Sequence, residues 1–119
     1  MPHTLDHTVA ITPFRGRVEA RLGDALIAIS DRAMIVSETG LQDRFYIPLQ
    51  DVTGVLEPTS RRSTCPYKGG ARYWTLKVSG ASAENVAWSY DRPTPIAEPI
   101  RDLISFYTDR ITLNAAPAS

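Results

Sequence analysis

Short β-rich segments, each closed by a turn signal, run through most of this chain and leave little room for alternating strands and helices. Gly23-Asp24, Ser30-Asp31, Thr39-Gly40 and Ser79-Gly80 supply the punctuation, because these residues accept the backbone angles that tight turns demand. Between them lie candidate strands at Arg17–Leu22, Ala25–Ile29, Ala33–Glu38, Arg44–Pro48, Val52–Leu56, Ala71–Val78 and Asn85–Tyr90. The pattern predicts a mainly β fold, a single antiparallel meander of about seven short strands. One domain is expected over 13–113, with small-residue or polar stretches at 1–12 and 114–119 read as mobile tails.

Two strands show countable alternation. Trp74, Leu76 and Val78 share one face against Tyr73, Thr75 and Lys77, while Val86, Trp88 and Tyr90 oppose Ala87 and Ser89. The Ser79–Ala83 link makes the two strands a hairpin, and the expectation is an aromatic-lined concavity between Trp74 and Trp88. At the end of the chain, Ile96, Ile100, Leu103, Ile104 and Tyr107 recur at helical spacing, which predicts one C-terminal amphipathic helix over Pro95–Arg110, with Thr94 as its cap. Pro95 and Pro99 then belong to its first turn or before it.

Charge narrows the function classes. Thirteen basic and 13 acidic side chains among 119 residues cancel, so non-specific nucleic-acid binding by bulk charge is not expected. The longest apolar run, Ala25 to Ile29, is far short of a membrane span. With no secretory pattern at the N-terminus and one cysteine, a cytoplasmic location is expected. The zero total conceals a cationic stretch, Thr59–Trp74, which holds Arg61, Arg62, Lys68 and Arg72 and no acid. Lys68 before Gly69-Gly70 sets a point charge beside backbone that a phosphate or carboxylate can approach; a solvated turn is the plainer reading.

The segment Thr64-Cys65-Pro66-Tyr67-Lys68-Gly69-Gly70-Ala71-Arg72-Tyr73-Trp74, together with Phe45-Tyr46-Ile47-Pro48, Ala87-Trp88-Ser89-Tyr90 and Phe106-Tyr107-Thr108-Asp109-Arg110, resembles a bacterial and fungal domain-of-unknown-function family, number four hundred and twenty-seven. The resemblance covers about Arg17 to Leu113. It implies a β-tent-like fold, the architecture of methionine-R-sulfoxide reductases and of the ligand-binding domain of cereblon, and it brings with it a nucleotidyltransferase association. The acids do not favour that activity, for there is no Asp-x-Asp or Glu-x-Asp pair to hold two metal ions. Relatives with this architecture carry zinc on paired cysteines, but Cys65 is the only cysteine and the histidines are His3 and His7, so no zinc and no other cofactor is expected.

The reading that follows is a pocket for a small anionic or heterocyclic molecule. Lys68 is its charge anchor, Gly69 and Gly70 the close-approach backbone, Arg61 and Thr64 flanking polar groups, and Tyr73, Trp74, Trp88 and Tyr90 its walls. Two other classes use the same residues: an enzyme with Cys65 or Lys68 as catalytic group, the cations favouring a thiolate at Cys65, or a protein-interaction module.

Overall fold

A computed structural model describes residues 7–118. The chain forms ten strands in three antiparallel sheets: β1 (Val9–Pro13), β2 (Gly16–Leu22), β3 (Ala25–Ser30), β4 (Met34–Glu38), β5 (Arg44–Tyr46), β6 (Val55–Cys65), β7 (Gly69–Val78), β8 (Ala81–Pro93), β9 (Ser105–Phe106) and β10 (Thr112–Pro117). Their orders are β1-β4-β5, β10-β2-β3 and β6-β7-β8-β9. The mainly β expectation holds and each expected strand overlaps an observed one, but the single meander of about seven strands does not, since β4 and β10 pair with strands distant in sequence and divide the chain among three sheets. No helix among the described residues is long and apolar enough to cross a membrane.

The long hairpin β6–β7–β8 dominates the third sheet. The cationic stretch expected as a loop is mostly strand, with only Pro66-Tyr67-Lys68 between the paired residues Cys65 and Gly69. β6 tolerates Pro58 because it is an edge strand, where a missing N–H breaks no ladder on its outer side. Ser79 and Gly80 close β7 onto β8 with φ of 45° and 80°, the two left-handed positions of a tight hairpin turn.

The predicted C-terminal helix does not form. Pro95–Ile100 is a single 3-10 turn, followed by Asp102 at φ 61° and the short strand β9. Pro99 removes an N–H inside what would be the helix, and Asp102 donates its N–H to the Tyr90 carbonyl 3.0 Å away, so the backbone turns back onto β8. The apolar spacing is real but serves other geometry: Ile100 and Ile104 are buried, while Ile96 is exposed. Thr94 stands at the N-cap of the 3-10 turn, its carbonyl accepting from the Ala97 N–H at 3.0 Å, but its hydroxyl makes no cap and donates instead to the Tyr67 carbonyl at 2.6 Å.

Residues 9–12 and 114–117, assigned to tails from composition, are paired strand. β1 lies along β4 and β10 along β2. Residues 1–6 and 119 of those tails are outside the described residues.

Two apolar cores result. One gathers Val18, Ile27, Leu76, Val86 and Phe106; the other gathers Val36, Tyr46, Tyr73, Trp88, Tyr90 and Ile100. Cross-strand pairing separates them on β7 and β8: Tyr73 is opposite Trp88 and Ala71 opposite Tyr90, whereas Trp74 is opposite Ala87. Direct partners share a face, so Trp74 and Trp88 stand on opposite sides of the sheet. The expected concavity between the tryptophans is therefore not there. Trp74 packs toward the first core, its indole N–H donating to Ser89 Oγ at 3.0 Å.

Candidate functional site

The second core opens into a cavity of about 360 Å³. Its floor is the face of β7 and β8 that carries Tyr73, Trp88 and Tyr90; its walls come from β4 and β5 through Val36, Glu38, Arg44 and Tyr46, and Tyr107 closes one side. Such a volume is within the range that small-molecule sites occupy.

Alternation explains how the aromatics gather. Tyr73 and Trp88 form one cross-strand row, and Ala71 and Tyr90 the next. The small Ala71 leaves room above Tyr90, over which Tyr46 leans at 6.3 Å between ring centroids. Trp88 donates its indole N–H to the Tyr46 oxygen at 3.1 Å, and the Tyr107 ring lies 4.5 Å from Trp88. Burial pushes the Tyr46 phenol up to about 12, against the opposing hydrogen bond from Trp88, and burial raises Tyr90 as well. Both are neutral phenols across the physiological range, able to donate as well as accept.

Charge enters from two places. At the Tyr90 end, the turn before β7 drops Lys68 inward, with 10% of its side chain exposed, onto Glu38, which is 6% exposed. The second carboxylate oxygen of Glu38 lies 2.8 Å from His7 Nε2, and the His7 ring stacks on Tyr67 at 3.8 Å. Burial alone would raise the Glu38 carboxyl, but hydrogen bonds and charge from Lys68 and His7 outweigh it and hold the group below the usual carboxylate range. At the Trp88 end, the Arg44 guanidinium carbon lies 5.4 Å from the Trp88 ring centroid, and its buried Nη1 has no hydrogen-bond partner. An unpaired buried donor costs roughly 1–3 kcal/mol, a debt that an incoming acceptor would cancel.

Of the residues proposed from sequence, the structure brings Lys68, Tyr73, Trp88 and Tyr90 to the cavity. Trp74 is on the far face of the sheet. Gly69 is needed for packing rather than for a ligand: at φ 103°, a Cβ there would run into the Arg92 carbonyl oxygen and lie 2.8 Å from the Thr94 nitrogen. Gly70 pairs with Arg92 in the sheet, and Thr64 is exposed on β6. Arg61 stands outside the cavity lining, 4.6 Å above the Tyr73 ring. Cys65 is partly buried against the second core without lining the cavity. Two cations expected to activate Cys65 face carboxylates instead, Lys68 on Glu38 and Arg62 on Asp91 at 2.7 Å.

Sequence reading missed Glu38, Arg44 and the position of Tyr107. Tyr46 belongs to the Phe45-Tyr46-Ile47-Pro48 segment of the resemblance, but nothing local ties β4 and β5 to this face. Among the described residues no three His, Cys, Asp or Glu side chains converge.

Fold and cavity together define a mainly β domain with an aromatic cavity that is cationic at one end. The chain belongs to the family described as Domain of unknown function (DUF427), whose model matches residues 10–115. No curated protein matches the chain.

Proposed function

We propose that this protein is a small-molecule-binding domain whose β4–β5–β7–β8 cavity takes an anionic or heterocyclic ligand. The observation that carries the reading is the buried, partnerless Nη1 of Arg44 beside the rings of Tyr46, Trp88 and Tyr107 in a cavity of about 360 Å³. Flat rings offer stacking surface, and the guanidinium offers a donor pair matched to carboxylate or phosphate. Lys68, already engaged by Glu38, shapes the wall instead of anchoring the ligand. Antiparallel sheets set around two cores support the finer β-tent reading of the fold.

The tryptophans allow a direct test. Titrating nucleobases, nucleotides and sugar phosphates while following indole emission should give a saturable change in wild type and in Trp74→Phe, but not in Trp88→Phe. A parallel rise in melting temperature is expected with the same compounds. If no compound perturbs Trp88 or stabilises the fold, the binding reading fails.

A further inference from the structure

We infer that the occupant of this cavity is a flat aromatic or heterocyclic ring bearing an anionic group, with the ring against Trp88 and the anion at Arg44 on the Tyr107 side, where Arg61 adds positive charge from outside the lining. This rests on the binding reading above and turns its two alternatives into one molecule with two ends.

The cavity is polar along its length. Residues on one face of a strand recur at about 7 Å, so the Tyr90 and Trp88 levels are successive steps along β8, and Lys68, in the turn before β7, stands at the step beyond Tyr90. At the first step Lys68 and Glu38 neutralise one another, with Lys68 Nζ 5.9 Å from the Tyr90 ring centroid. Two steps on, both arginines stand over the paired rings: Arg44 over Trp88 at 5.4 Å and Arg61 over Tyr73 at 4.6 Å. Tyr107 packs between them, its ring 4.5 Å from Trp88 and 6.4 Å from Tyr73. The two guanidiniums therefore flank one phenol.

Neither arginine has a carboxylate within ion-pair distance among the described residues. Arg21, Arg32, Arg62, Lys77 and Arg101 do meet carboxylates, on Glu19, Asp51, Asp91, Glu57 and Glu98. Of the arginines outside any ion pair among the described residues, Arg44 is the one that lines this cavity, and its Nη1 is buried there without an acceptor. Two positive charges outside any ion pair, beside rings that line a cavity, suit a planar anion, since each Arg offers a forked donor set to carboxylate or phosphate while the ring packs alongside. A neutral heterocycle would leave both arginines as they are, and a small inorganic anion would leave the rings uncovered.

Matched probe pairs decide the matter: adenosine against adenosine monophosphate, and indole-3-carboxamide against indole-3-carboxylate, with inorganic phosphate alone as a third arm. Binding is followed by calorimetry in wild type, R44M, R44K and R61M. In at least one pair the anion should bind about tenfold tighter than its neutral partner. That advantage should shrink in R44M and R61M, persist in part in R44K, and fall with added salt. Inorganic phosphate should bind more weakly than the ring-bearing anion. Which pair responds separates phosphate from carboxylate as the anion. R61M changes an exposed side chain, so it decides the question even if R44M proves unstable. If neutral and anionic members bind equally and R61M alters neither, the binding reading stands and this inference falls. If inorganic phosphate alone binds as tightly as the ring-bearing anions, the ring half falls. If no probe binds, both readings fall together.

Discussion

Lys68 lines the cavity, but its charge is already met by a carboxylate of the same fold. Its position just before two glycines suggested an exposed anchor, but the three-residue turn points the side chain inward, where Glu38 receives it. Removing one member of such a buried pair leaves the other uncompensated, which typically costs about 3–5 kcal/mol. Lys68→Met is therefore expected to lower unfolding free energy in urea by about 3 kcal/mol, and Lys68→Met with Glu38→Gln to regain most of the loss. A double variant as unstable as the single one would show that the aliphatic stem of Lys68, not its charge, matters there. His7 adds a second hold on Glu38, a contact invisible to local reading because 31 residues separate the two.

At the scale of elements, turn chemistry carried most of what could be read. Gly23-Asp24 and Ser79-Gly80 announced their hairpins, and the alternation in β7 and β8 identified Trp88 and Tyr90 as inward. Trp74 was misplaced, because the faces of two strands can be related only once their register is known, and bulges shift that register twice between β7 and β8. The C-terminal helix was a mistake of another kind. A helical period was present, but two prolines and the pull of the Tyr90 carbonyl outweighed it. β1, β9 and β10 were missed because short or small-residue strands carry little periodic signal and are held by partners distant in sequence. The β7–β8 turn offers a test of its own geometry: Ser79 occupies a left-handed position that Asn accepts more easily. Ser79→Asn should raise stability by about 0.5 kcal/mol, and Ser79→Val lower it by about 1 kcal/mol, in denaturant melts.

For the molecule as a whole, the buried ionisable groups define a pH range of greatest stability. Glu38 has its pKa lowered by folding, so its contribution is complete above the unfolded value of about 4.5 and is lost as pH falls through the folded value. Tyr46 works at the other edge: its pKa is raised to about 12, so stability is intact below the unfolded value of about 10 and declines as pH rises toward the folded one. Denaturation curves should show Glu38→Gln flattening the acid limb and Tyr46→Phe flattening the alkaline limb. An acid limb unchanged in Glu38→Gln would remove Glu38 from that account. The strand order also sets a schedule for folding. β2 and β3 are made early, but the outer edge of β2 is covered only by Thr112–Pro117, so this sheet keeps an open flank until nearly the whole domain has been synthesised. A nascent chain stalled before that point presents unpaired β2 N–H and C=O groups to its neighbours, which makes the interval before β10 arrives the stage at which this protein is most exposed to edge-to-edge aggregation.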